Sequence, residues 1–352
     1  MTSAPPIDLS LLSGTSFRCR PGCGLCCFTT PAVEPREAER LIQIEPATPF
    51  LEGEGGWRYV ADQGEGGACH FLSERKCRAY GDRPFCCQEF PLSVHLGVRA
   101  QATVVLSCPG ISVRSWVSPA SLGEPASAPE GLSEELEAVQ QELLRHPAEE
   151  RLREASRRWR LFKSRLLRTG GWSEPSEIRA SLLGSLPSLV RRSFPPPPPP
   201  SVSEGIDALP ILFDEAVGLV ALADHAGGWE LLSIEETGQR SRSLGVWPAP
   251  SRFPLVSPEG EELLRAYLAH LLDRDFTYWS AAERVRSERS GSLERAVSED
   301  VGRFGALVLA RAEGLQGFRS ADRGPLSADL VWDGIRATDG EFLDRPTLGW
   351  VL

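Results

Sequence analysis

The chain has 352 residues, 41% of them hydrophobic, and a formal net charge of −10. That is length enough for two ordinary domains with a real core. The acidic balance argues against whole-chain attraction to nucleic acid or to an anionic membrane, and no apolar run approaches the roughly 20 residues that a bilayer span needs.

The stretch from Met1 to Phe17 lacks a basic start and a long apolar run, so it does not read as a signal peptide. Residues 1–16 are polar and contain prolines, which predicts a loose lead-in. All nine cysteines fall within residues 17–115. In that segment Glu34 to Ile44 predicts a short amphipathic helix with Ala38, Leu41 and Ile44 on one face. Gly-rich stretches at 53–56 and 64–67 flank a short strand over Trp57 to Val60, and Val98 to Leu106 predicts another. A Pro/Ser/Ala linker follows over 117–130.

Ser133 to Arg168 reads as helical, with a break at His146-Pro147, and Ser133 before Glu134 and Glu135 suits a helix start. Its second half is strongly basic, with an apolar stripe of Leu152, Ala155, Trp159, Phe162 and Leu166. The stripe is expected to pack and the arginines to face water, in preference to forming a docking surface for an acidic partner. Glu177 to Arg192 predicts one further helix, and Pro195–Pro200 an extended polyproline spacer. Beyond it, Ile211 to Leu222 and Trp229 to Ile234 predict strands around a His225–Gly228 turn. Pro258 to Trp279 and Leu293 to Leu315 predict helices. Asp214, Glu215, Glu235 and Glu236 read as exposed acidic turns. The expected fold class is α+β: a small cysteine-rich metal-binding domain over 17–115, a helical segment over 131–194, a polyproline linker over 195–205, and a C-terminal α+β module over 206–352.

The cysteines carry the chemistry. Cys19-x3-Cys23-x2-Cys26-Cys27 places four sulfurs within nine residues, and Pro21, Gly22 and Gly24 let the backbone loop around a central ion. Disulfides fit poorly with an odd count, adjacent pairs and no export signal. The expected setting is cytoplasmic, where thiols stay reduced. Zinc prefers four ligands with Cys favoured, and iron–sulfur clusters also take Cys thiolates, so both remain open. Eight or nine thiols are enough for two zinc ions, or for a four-iron cluster with a zinc. Cys19-x3-Cys23-x2-Cys26 is also the spacing of radical S-adenosylmethionine enzymes. The extra thiol of Cys27 and the lack of alternating strands and helices argue against that reading.

Further on come Gly67-Ala68-Cys69, Phe71-Leu72, Cys77, Tyr80, Arg83-Pro84, Cys87 and Phe90-Pro91. With the first run, these resemble the YkgJ-type cysteine-cluster family, whose pattern is CxxxCxxCC, then GxCxFL, CxxY and RPxxCxxFP. The resemblance covers the N-terminal third. It implies a zinc- or iron-chelating domain with Cys19, Cys23, Cys26, Cys27, Cys69, Cys77 and Cys87 as metal ligands. Cys108, in Ser107-Cys108-Pro109-Gly110, matches the Cys-Pro-Gly found after the domain and is the eighth. Cys86 is extra to the pattern, and Gln88 stands where a basic residue is usual. The same domain occurs in flagellin lysine N-methylases, which implies an alternative: iron–sulfur-dependent methyl transfer from S-adenosylmethionine to a protein lysine. A third reading is a redox sensor in which Cys86 or Cys108 reacts.

His70 and His95 lie among the cysteines and read as hydrogen-bonded or surface residues before ligands. Arg83 is expected to offset thiolate charge and to bond sulfur or a backbone carbonyl, with Tyr80, Pro84, Phe90 and Pro91 shaping the site. No P-loop, GxGxxG or nucleophile elbow is present. A protein partner or protein substrate is expected, and neither nucleic acid nor membrane.

Overall fold

The computed structural model describes residues 4–28, 30–53, 58–63, 67–112, 131–145, 148–206, 208–226, 228–235, 237–238, 240–288, 291–319, 324–343 and 347–351. The expected linker over 117–130, the His146-Pro147 break and Trp57 lie outside these residues. The fold is α+β, with the cysteine-rich part at the N-terminus.

The first stretch holds β1 (Ile7–Asp8), β2 (Ser16–Phe17), β3 (Ala32–Val33), α1 (Pro35–Ile44), β4 (Phe50–Glu52), β5 (Arg58–Val60), β6 (Leu72–Ser73), β7 (Lys76–Cys77), α2 (Phe85–Glu89), β8 (Leu92–Leu96), β9 (Ala100–Val104) and β10 (Ile111–Ser112). The lead-in is not loose. β1 pairs parallel with β9, and Leu12 is 1% exposed within the main core. Its few apolar residues are too short a run to show a period. β8 and β9 pair antiparallel with every residue buried. β8 alternates apolar Leu92, Val94 and Leu96 with polar Ser93 and His95, yet the polar face is buried as well. α1 begins with Pro35 and a reciprocal capping box between Glu34 and Glu37. Ala38 and Leu41 are buried as expected, whereas Ile44 is exposed. The third buried position belongs to Glu37, whose Oε1 accepts the Phe85 N–H at 2.8 Å and so fixes the start of α2.

α3 (Ser133–Arg145) and α4 (Ala148–Thr169) follow. Ala155, Phe162 and Leu166 of the α4 stripe are buried, Leu152 and Trp159 pack beside them, and most of the arginines face water. The single helix expected after them is two, α5 (Pro175–Leu183) and α6 (Leu186–Arg192), parted at Gly184-Ser185 ahead of Pro187. The proline tract does not run free: Asp224 N–H donates to Pro200 O at 3.0 Å, and Phe194 packs edge-on against Phe253.

β11 (Ile211–Asp214), β12 (Gly218–His225), β13 (Gly228–Ile234) and β14 (Ser241–Pro248) form an antiparallel meander. The expected first strand divides into two because Asp214 accepts N–H bonds from Ala216 and Val217, closing a turn. Asp214 is therefore buried and paired with Arg319 at 2.8 Å, not an exposed acidic turn. Alternate residues of β12 bury both faces of the sheet. Leu219, Ala221 and Ala223 meet Leu25, Phe28, Ala68 and Leu72 of the cysteine loops. Val220 and Leu222 meet Ala310, Leu315 and Ala337 on the helical side.

The last elements are α7 (Pro258–Asp273), α8 (Asp275–Glu288), α9 (Leu293–Arg319), α10 (Ala328–Leu343) and β15 (Trp350–Val351), which pairs with β8. The helix expected over Pro258 to Trp279 breaks at Arg274, which turns inward. Arg274 and Asp339 are 1% and 0% exposed and meet at 2.8 Å. Asp339 also accepts the Leu106 N–H at 2.8 Å and the Tyr267 hydroxyl at 3.3 Å, while Arg274 donates to Val104 O at 3.3 Å. α7 to α10 thus share one core with α3 to α6, β8 and β9. Among the described residues no helix is long and apolar enough to cross a membrane.

Removing one partner of a buried ion pair strands the other charge. Asp339→Ala is therefore expected to cost about 3–5 kcal/mol in chemical denaturation. His95 is 3% exposed, edge-on to Phe276 and Trp279, with neither ring nitrogen bonded among the described residues. Burial pushes its pKa down to about 3. The unfolded chain takes up this proton near 6.5 and the folded chain only near 3, so between those values stability is lost as the pH is lowered. His95→Phe should flatten that acid-side loss by up to about 1.4 kcal/mol per pH unit, read from denaturation midpoints across pH.

Candidate metal centre

The first cysteine run owes its shape to two glycines. Gly22 (φ +75°) and Gly24 (φ +67°) take left-handed backbone that other residues rarely adopt. Gly24 then starts a single 3₁₀ turn over Leu25–Cys27. Backbone bonds carry this run to the other cysteines. Arg18 N–H donates to Gly110 O at 3.0 Å beside the β2–β10 pair, which brings Cys19 to Cys108. Cys69 N–H donates to Cys27 O at 2.7 Å, and the β6–β7 hairpin returns Cys77 opposite Leu72. α2 brings Cys87 to the same place, with Arg83 lying between it and Tyr80.

The sulfurs form two neighbourhoods. Cys19, Cys23, Cys26 and Cys108 act electrostatically on one another. In the second, Cys69 and Cys77 act on each other and each interacts with both Cys27 and Cys87. Cys26 joins the two, since it also acts on Cys27, Cys77 and Cys87. Both neighbourhoods repeat one local device, in which the N–H two residues on donates to sulfur. Leu25 donates to Cys23 at 3.4 Å, and Phe71, Ala79 and Gly110 donate to Cys69, Cys77 and Cys108. Such bonds favour an anionic sulfur.

Crowding opposes that charge. Burial lifts the Cys23 thiol to about 11 and those of Cys69 and Cys108 to about 12, and it also raises Cys19 and Cys77. Cys27 is raised first by its bond to Cys26 and then by burial, and Cys87 first by its bond to Cys86 and then by burial. Cys26 is the exception: the Cys27 thiol donates to it, Arg83 stands near, and its pKa falls to about 7. Arg83 stacks on Tyr80 at 4.0 Å and donates to the carbonyls of Tyr80 and Cys87, while its charge favours the thiolates of Cys19, Cys26, Cys77 and Cys87. Tyr80 itself is 58% exposed, so it supports Arg83 from outside and does not shield the sulfurs.

Cys86 stands to one side, bonded to Ala32 O at 3.3 Å and 4.0 Å from the Cys87 sulfur. Neither histidine joins the thiols: His70 meets Glu45 at 3.0 Å, and His95 lies in the helical core. Several supporting residues escaped the sequence reading. Glu37 seats α2, Arg20 pairs with Glu215, Arg336 donates to Pro109 O at 3.5 Å, and Gly340 N–H donates to Ser107 Oγ at 2.9 Å. These partners lie far apart in the chain and carry no local spacing that would mark them. Among the described residues, no three His, Cys, Asp or Glu side chains are drawn tightly enough about one point to hold a metal ion. The donor set nonetheless suits one. It is all thiol, its burial disfavours uncompensated thiolates, and a soft cation would supply the missing charge.

Residues 18–109 match the family model of the CxxCxxCC domain, described as a "putative zinc- or iron-chelating domain". The match takes in α1 and α2 and stops short of α3 to α10 and the meander. No curated protein and no solved structure is significantly similar to the chain.

With its lowered pKa and exposed position, Cys26 should be the first thiol alkylated by iodoacetamide at pH 7 in chelator-treated full-length protein. Arg83→Met should slow that reaction several-fold, followed by peptide mass spectrometry.

Proposed function

We propose that the protein binds two metal centres, one through Cys19, Cys23, Cys26 and Cys108 and the other through Cys27, Cys69, Cys77 and Cys87. Each set supplies four thiolates, the complement taken by structural zinc and by iron–sulfur clusters. The observation that carries this reading is the four-and-four grouping of the sulfurs, with N–H···S turns in both groups. In a reducing cytoplasm such thiols remain available to metal. The helices and the meander back the loops on one side, leaving Cys19 and Cys26 exposed, and offer surface to a protein partner.

Metal and acid-labile sulfide are measured per chain after anaerobic purification. Two centres are expected in the wild type. Cys108→Ser should lose the first and keep the second, and Cys69→Ser the reverse. Wild-type protein with no bound zinc or iron would refute metal binding. A single centre depleted equally by both substitutions would refute the division.

One observation favours a second role, thiol sensing at Cys86: its sulfur lies 4.0 Å from that of Cys87. Cys108, buried at 6% exposure, is poorly placed to meet an oxidant. Cys86→Ser should leave metal content unchanged and abolish the peroxide response of metal release. An unaltered response in that variant contradicts the role.

A further inference from the structure

A cavity of about 420 Å³ opens where the cysteine loops meet α2, the segment from Val105 to Ser107, residues 208–211 and the end of α10. This falls within the size range of small-molecule sites. Cys26 and Cys86 both line it. Much of its wall is apolar, formed by Leu25, Phe28, Leu209 and Ile211 among others.

Ser93 is one of four hydroxyl or carboxyl groups on that wall, and the other three differ in what they have left to offer. Ser107 already accepts the Gly340 N–H at 2.9 Å. Glu341 is paired with Arg311 at 2.6 Å. Glu89 is 7% exposed, and its Oε2 has no hydrogen-bond partner among the described residues. A buried carboxyl oxygen without a partner is destabilising. Packing alone therefore gives no reason for Glu89, and a ligand that donates to it does.

We propose that this cavity binds a small amphiphile. Its aliphatic body lies on Leu25, Leu209 and Ile211, and its N–H or O–H head donates to Glu89. The bound molecule sits beside Cys26 and Cys86. The inference stands on the cavity and on Glu89, apart from whether the thiols hold metal.

The test uses full-length protein with methyl-labelled Ile and Leu. Hexanamide and hexylammonium serve as donor-headed probes, and N,N-dimethylhexanamide as the matched probe without a donor. Saturable shifts of the Ile211 methyl are expected, with at least one donor-headed probe binding about fivefold more tightly than the donorless one. Glu89→Leu, which removes an unpartnered carboxyl and should not unfold the chain, should erase that advantage. Ala208→Trp, at an exposed position on the cavity wall, should block all three probes while leaving Glu89 in place. Three results would each overturn the proposal: no saturable shift at Ile211, equal affinity for all probes, or a donor advantage that survives Glu89→Leu.

Discussion

Asp339, near the end of the chain, accepts the backbone N–H of Leu106 and is neutralised by Arg274 in a site closed to water. A carboxylate this deep is tolerable only with its charge paired and its lone pairs used. Here the partners come from α7, from the α7–α8 break and from the end of β9. The same helix face continues outward: Gly340 N–H donates to Ser107 and Arg336 to Pro109. Cys108 therefore leaves a segment fixed on both sides by a helix more than 200 residues further along the chain. The cysteine loops and the helical core are mechanically one structure at this point.

The meander makes the second connection. β12 is apolar on both faces because one face covers the loops and the other covers α9 and α10. Thr237, in the turn between β13 and β14, accepts the Ala68 N–H at 2.9 Å, next to Cys69. Loops rich in cysteine and glycine bury little apolar surface themselves. The large C-terminal part gives them walls, and Cys23 and Cys27 pack against that shared apolar patch. Against those walls eight thiols lie in two neighbourhoods joined by Cys26. Burial and mutual repulsion keep most of them protonated, while the N–H···S turns and Arg83 favour charge. A bound cation resolves that opposition and couples metal binding to folding.

Local features were legible from the sequence. The cysteine spacing, the paired glycines and the RPxxC motif mark the domain because metal loops need those residues at those separations. The α4 stripe and the Leu-rich α7 show their helical period directly. What was hidden depends on distant partners. β8 alternates apolar and polar residues, but its polar face, Ser93 and His95, is buried too. Arg274 ends a helix without Pro or Gly, since its reason for turning is Asp339. α10 carries Asp333 and Asp339, which look like solvent-facing charges until Arg319 and Arg274 are seen beside them. The Cys108 turn was legible as a motif, but the residues that hold it were not.

X-ray absorption at the zinc and iron edges of the full-length protein, as purified without oxygen, tests the central claim most directly. The account predicts a first shell of sulfur alone, near 2.3 Å for zinc. A shell containing nitrogen or oxygen ligands from the protein would contradict it.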